Sequence, residues 1–238
     1  MKLSQLAFAC YLYRAFTDFD KSFIDFLKAT NYSVDLTISE HRNKLLIWLN
    51  SWGCRQFAVE YHNLASKEIL SWYNEYKSNL PSSTKFLWEL SESEFISVTM
   101  AFESLSKRTA SIRKKNKNTY SVSIGPTGAS KILFAIRPKA LIPWDEKIRQ
   151  HFKRHFKCEK ESELYIAYHR EVIKMLEKLK KQCQSHGLQF INLPKILNRP
   201  NSSIPKLIDE YHWVTISNNC PAPSIETFQL WINWDQIN

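Results

Sequence analysis

Ile124-Gly125-Pro126-Thr127-Gly128-Ala129-Ser130-Lys131-Ile132-Leu133-Phe134-Ala135-Ile136 is followed, after a short link, by Leu141-Ile142-Pro143-Trp144-Asp145-Glu146-Lys147-Ile148-Arg149. The chain has only four glycines, and two of them flank the turn that begins this stretch. Glycine lets a backbone take positive φ and come close to another strand. An apolar helix carrying Lys131 follows the turn. Pro143-Trp144-Asp145 then starts a second helix, from Glu146 to Phe156, with Asp145 in the position of a favoured N-cap.

Outward from this pair, helical periodicity dominates. Leu6–Phe16 and Phe19–Leu27 read as two short helices bent around Thr17-Asp18. Thr37 and Glu40 have capping-box spacing, and the helix they open stops at Gly53. Tyr61, Ala65, Ile69, Trp72, Tyr76 and Leu80 share one face of a helix ended by Pro81. Ser91 and Glu94 form a second capping box. The longest helix is expected over Glu161–Cys183, with Leu164, Tyr168, Val172, Met175 and Leu179 as its buried stripe. Residues 198–203 read as a loop. The tail after Asn218 is expected to fold back through Phe228, Leu230, Trp231 and Trp234. Only Trp213–Ile216 looks strand-like. The fold class is therefore all-α. One two-lobed domain is expected over 1–238, with a cleft between a lobe of about 61–158 and another of about 1–60 plus 159–238.

Lys and Arg exceed Asp and Glu, giving a formal net charge of +10 and a pI near 9.3. Such an excess favours a polyanionic partner. Six basic residues and no acid lie between Lys107 and Asn118, Arg113, Lys114, Lys115 and Lys117 among them. The stretch reads either as a solvated loop or as a surface that neutralises phosphates. The five cysteines show no CxxC spacing, which fits reduced thiols in a cytoplasmic protein. The apolar stretch Leu6–Tyr13 is too short to span a membrane. His151, His155 and Cys158 share helical spacing, but Lys153, Arg154 and Lys157 among them repel a cation, so no metal is expected. The acidic pair Asp209-Glu210 reads as helix surface or salt bridge, with a supporting catalytic role as the alternative.

The run from about residue 120 to 150 resembles the helix-hairpin-helix DNA glycosylase superfamily. Its pattern is a glycine hairpin, a lysine, an apolar helix, then Pro-x-Asp and a later arginine. The match covers about 30 residues. Gly125 and Gly128 stand one position further apart than the family's glycines, and Ser130 takes the slot of its lysine, one before Lys131. The resemblance implies that Gly125, Thr127, Gly128 and Ser130 grip a DNA phosphate, with Arg113, Lys114, Lys115, Lys147 and Arg149 as further DNA contacts. It implies Asp145 as the catalytic carboxylate, stabilising an oxocarbenium-like sugar or orienting the attacking water. Lys131 is either an amine nucleophile, giving lyase activity as well, or a phosphate contact. Trp144 and Trp52 are the candidate pocket for a base flipped out of the stack.

The expected function is hydrolysis of the N-glycosidic bond of a damaged or modified base in DNA, by a monomer without a cofactor. A modified phage base as substrate would make the role antiviral. Two alternatives fit the same residues: a helical DNA-binding module without catalysis, and a basic protein-interaction domain.

Overall fold

A computed structural model describes residues 1–115 and 118–232; Lys117, Trp234 and the side chain of Lys115 lie outside the described residues. The chain runs α1 (Leu3–Phe16), α2 (Phe19–Ala29), α3 (Ser39–Ser51), α4 (His62–Tyr76) and α5 (Glu92–Lys107), then β1 (Thr109–Lys115) and β2 (Asn118–Ser123). It continues through α6 (Gly125–Ile136), α7 (Glu146–His155), α8 (Glu161–Ser185), α9 (Leu193–Ile196), α10 (Ile204–His212) and α11 (Ile225–Ile232). The fold is all-α, carrying one small two-stranded ribbon. No helix among the described residues is long and apolar enough to cross a membrane.

In α6 every residue from Gly128 to Ile136 is buried, as its unbroken Ile-Leu-Phe-Ala-Ile run requires. It lies against α5 and α3, while α8 closes on α5 and α10 on α1. One contiguous core draws on Leu6, Leu46, Leu133, Leu164 and Leu207, thus on both stretches expected as lobes.

Local capping explains several boundaries. Ser91 accepts from the amide of Glu94 while the Glu94 carboxylate takes the amide of Ser91, the reciprocal box that the spacing predicts. After α3, Gly53 adopts φ +76°, the left-handed residue that ends a helix. The Thr37/Glu40 box does not form. Asp35 takes both the amide and the hydroxyl of Thr37, and α3 begins without a side-chain cap. In α8 it is Leu176, not Met175, that is fully enclosed.

Three expectations need correction. Residues 109–115 and 118 are not loop, because β1 and β2 pair antiparallel from Thr109↔Ser123 to Lys115↔Asn118, with an irregularity between Thr109 and Ser111. Trp213–Ser217 is not a strand but a π-helical turn continuing α10. The glycine turn follows a β-strand, so strand–turn–helix stands where two helices joined by a hairpin were expected.

Candidate functional site

Asp145 is the N-cap of α7, and its carboxylate is half-buried. Oδ1 accepts the Ile148 amide at 2.8 Å, closing the first turn, and Oδ2 accepts the Ser217 hydroxyl at 2.6 Å. Ser217 comes from the π-helical turn, which winds wider than an α-helix and is a frequent feature of functional sites. Its carbonyl in turn accepts Lys147 Nζ at 2.7 Å. The carboxylate is thus oriented by two donors from different elements, and α7 is tied to the turn after α10.

These two elements wall a groove of about 520 Å³, lined by Lys147, Gln150, His151, Arg154, Thr215, Ile216 and Asn219 with Glu146 at its edge. Asp145 does not itself line this groove; it directly precedes Glu146, which does, and is hydrogen-bonded to Ser217, the residue after Ile216. Lys147, His151 and Arg154 recur at helical spacing and turn into the groove a face of α7 that carries two cations and an imidazole, with the Glu146 carboxylate beside them. Burial, with help from His155 and Arg154, holds the His151 imidazole below its usual range and so favours the neutral ring.

The other expected site residues are placed differently. Trp144 is wholly enclosed, set edge-on to Phe102 and Tyr165 and stacked on Tyr168, and its indole donates to the Pro126 carbonyl at 3.2 Å. It is core, not a base pocket. Trp52 is 7 % exposed and donates to the Phe19 carbonyl at 3.0 Å. Its ring lies between two ammonium groups, Lys131 at 5.5 Å and Lys206 at 5.0 Å, which close it to a base.

Lys131 is 6 % exposed, and its Nζ donates to the Trp52 carbonyl at 2.6 Å. A cation at the C-terminal end of α3 satisfies a free carbonyl and the helix dipole. It therefore serves as a cap, neither a free nucleophile nor a phosphate contact.

The glycine turn divides in two. Gly125 has φ +69°, and it and Thr127 remain partly accessible at the uncapped start of α6. Gly128 and Ser130 are buried and cannot touch a strand. A Cβ at Gly128 would lie 2.7 Å from Gln56 Nε2 and 2.9 Å from Ile124 Cγ2, so this glycine is required by close packing. Ser130 receives the Trp144 amide at 3.2 Å, which joins the start of α6 to the approach of α7. Arg149 is spent within the protein, on Glu146 and Glu161 at 2.6 Å each. Arg113 and Lys114 are exposed on the ribbon, and the backbone of Lys115 ends β1.

The sequence reading missed a buried charge network behind this site. Lys206 Nζ is 3.0 Å from Asp209 and 3.4 Å from Glu210, and it stands 4.1 Å over the Tyr13 ring. Arg199 bridges Glu210 and Asp20. Burial pulls the Lys206 pKa down, but Tyr13, Asp209 and Glu210 outweigh it and push it well above an ordinary lysine. The fields of both Asp145 and Lys131 reach Asp209. The available signal was Lys206 at three and four residues before the acidic pair, the spacing of helical ion pairs. No cluster of metal-ligating side chains occurs among the described residues.

Comparison with protein-family models, with curated proteins and with solved structures gives no match to this chain. The geometry of the site alone therefore carries the functional reading.

Proposed function

We propose that the protein is a DNA N-glycosylase that removes a damaged or modified base with Asp145 as its catalytic carboxylate. The supporting observation is the setting of Asp145: partly accessible, fixed by Ser217 and by its own helix, and next in sequence to Glu146 on the rim of a groove whose walls carry Lys147, His151 and Arg154. The strand's phosphates lie along the face of α7 that carries Lys147 and Arg154. As the C1′–N bond breaks, its electron pair leaves with the base and positive charge develops on the sugar. The Asp145 carboxylate stabilises that charge, and water adds at C1′, one of its protons going to the departing base nitrogen through solvent, to leave an abasic site. With Lys131 engaged at the end of α3, the reaction is hydrolysis without strand nicking.

The burial of Trp144 and Trp52 supports a second reading, a helical DNA-binding module without catalysis. Incubation with duplexes carrying a panel of damaged and modified bases, read by mass spectrometry of released nucleobases, separates the two. Release by the wild type and its loss in Asp145→Asn support the enzyme. Salt-sensitive binding with no release from any substrate leaves the binding module.

A further inference from the structure

The β1–β2 ribbon has features that the glycosylase reading leaves unused. At its root, Ala110 and Ser111 are buried, whereas Arg113, Lys114, Asn118, Thr119, Tyr120 and Ser121 are all exposed. The distal half therefore covers no core, and each of its faces is open. The register puts Arg113 opposite Tyr120 and Lys114 opposite Thr119. Cross-strand partners share a face and successive residues alternate, so Arg113 and Tyr120 occupy one face and Lys114 the other. From Lys107 to Ser123 the sequence contains no acid.

The root is held firmly. Arg108 pairs with Glu75 of α4 at 2.7 Å, and the Ile124 amide donates to the Arg108 carbonyl at 2.7 Å across the base of the ribbon. Directly beyond Ile124 come Gly125 and Pro126, and the Pro126 carbonyl accepts the indole of Trp144, the residue before Asp145. Ribbon root and candidate carboxylate are thus joined by a short, packed path.

Resting on the DNA reading above, we propose that the β1–β2 ribbon enters the major groove of duplex DNA, so that the substrate class is double-stranded DNA. A surface that lies flat on a backbone needs cations on one face only. An element inserted between two phosphate walls needs them on both, as the ribbon has. Two paired strands with their side chains are about 10 Å across, which suits a B-form major groove of about 12 Å and exceeds a minor groove of about 6 Å. The deep, narrow major groove of duplex RNA does not admit it. A protein partner fits poorly, since among the described residues the exposed half offers a single aromatic side chain and no apolar cluster to serve as an anchor.

Fluorescence anisotropy of a labelled DNA duplex, titrated at several salt concentrations, tests this with the full chain. The double variant Arg113→Glu/Lys114→Glu is expected to bind the duplex at least about tenfold more weakly, with a salt slope shallower by about two. Affinity for a single strand or an RNA duplex of the same length should change less than about twofold. Methyl green, which occupies the major groove, should displace the wild type, and netropsin, a minor-groove ligand, should not; this arm needs no variant. Unchanged duplex affinity in the variant, equal losses on all three nucleic acids, or displacement by netropsin alone would each overturn the ribbon's role. Major-groove binding through the ribbon without release of any base overturns the glycosylase reading and leaves this one standing. A wild type with no affinity for DNA overturns both.

Discussion

Asp145 caps α7 and is the proposed catalytic carboxylate, and single substitutions separate the two roles. Asparagine is as good an N-cap as aspartate, so Asp145→Asn keeps the Ile148 contact through Oδ1 while removing the charge, and its Nδ2 donates to the Ser217 oxygen in place of accepting from it. Its thermal melt should match the wild type, salt-dependent DNA binding should persist, and base release should vanish. Asp145→Ala should also lower unfolding free energy by about 0.5–2 kcal/mol, measured by urea denaturation, through loss of the cap. At the turn, Gly128→Ala should cost about 1–3 kcal/mol, because the new methyl meets Ile124 and Gln56 in a packed corner. A Gly128→Ala protein as stable as wild type would show that the packing there gives way freely. Asp145 was legible in the sequence since a carboxylate after Pro-Trp at a helix start has a local signature. The burial of Trp52 was not, because Phe19, Phe23 and Phe134, like Lys131 and Lys206, reach its ring from other elements.

At the scale of elements, boundaries set by neighbouring residues were readable and those set by distant ones were not. The start of α5 follows from Ser91 and Glu94 alone, and Ser91→Ala should lower stability by about 1 kcal/mol in the same denaturation measurement. An unchanged midpoint would mean that Ser93, within 3.0 Å of the Ser91 hydroxyl, takes over the cap. The ribbon escaped notice because Arg113, Lys114 and residues 118–121 are exposed, so it lacks the apolar alternation that marks a half-buried strand. Trp213-Val214-Thr215-Ile216 is rich in residues that favour strands, yet it winds as a π-turn. The tertiary anchors of Ser217, to Asp145 and to Lys147, outweigh that local preference.

The whole molecule is bound together by charges held inside it. Arg199 links α2 and α10 through Asp20 and Glu210, while Lys206 fills the space between Tyr13, Trp52, Asp209 and Glu210. Removing one partner leaves the others buried without a counter-charge, so Lys206→Ala should cost about 3–5 kcal/mol and lower the denaturation midpoint sharply. Acid should act through two enclosed histidines. Burial pushes His169 down to about 4 and His212 down to about 3 from an ordinary 6.5. Their contribution to stability is complete above about pH 6.5. It is lost as the pH falls toward 4 and then 3, because the unfolded chain binds those protons first. A stability profile that stays flat from pH 7 to pH 4 would contradict the enclosed, neutral state of both rings. The Asp145 carboxylate, beside the α7 groove, is proposed to break a base–sugar bond in duplex DNA. The most direct measurement of that step is the count of abasic sites left in modified duplex DNA by equal amounts of wild type and Asp145→Asn. The account predicts sites that accumulate with turnover for the wild type and stay at background for the variant. Equal accumulation by both proteins would contradict it.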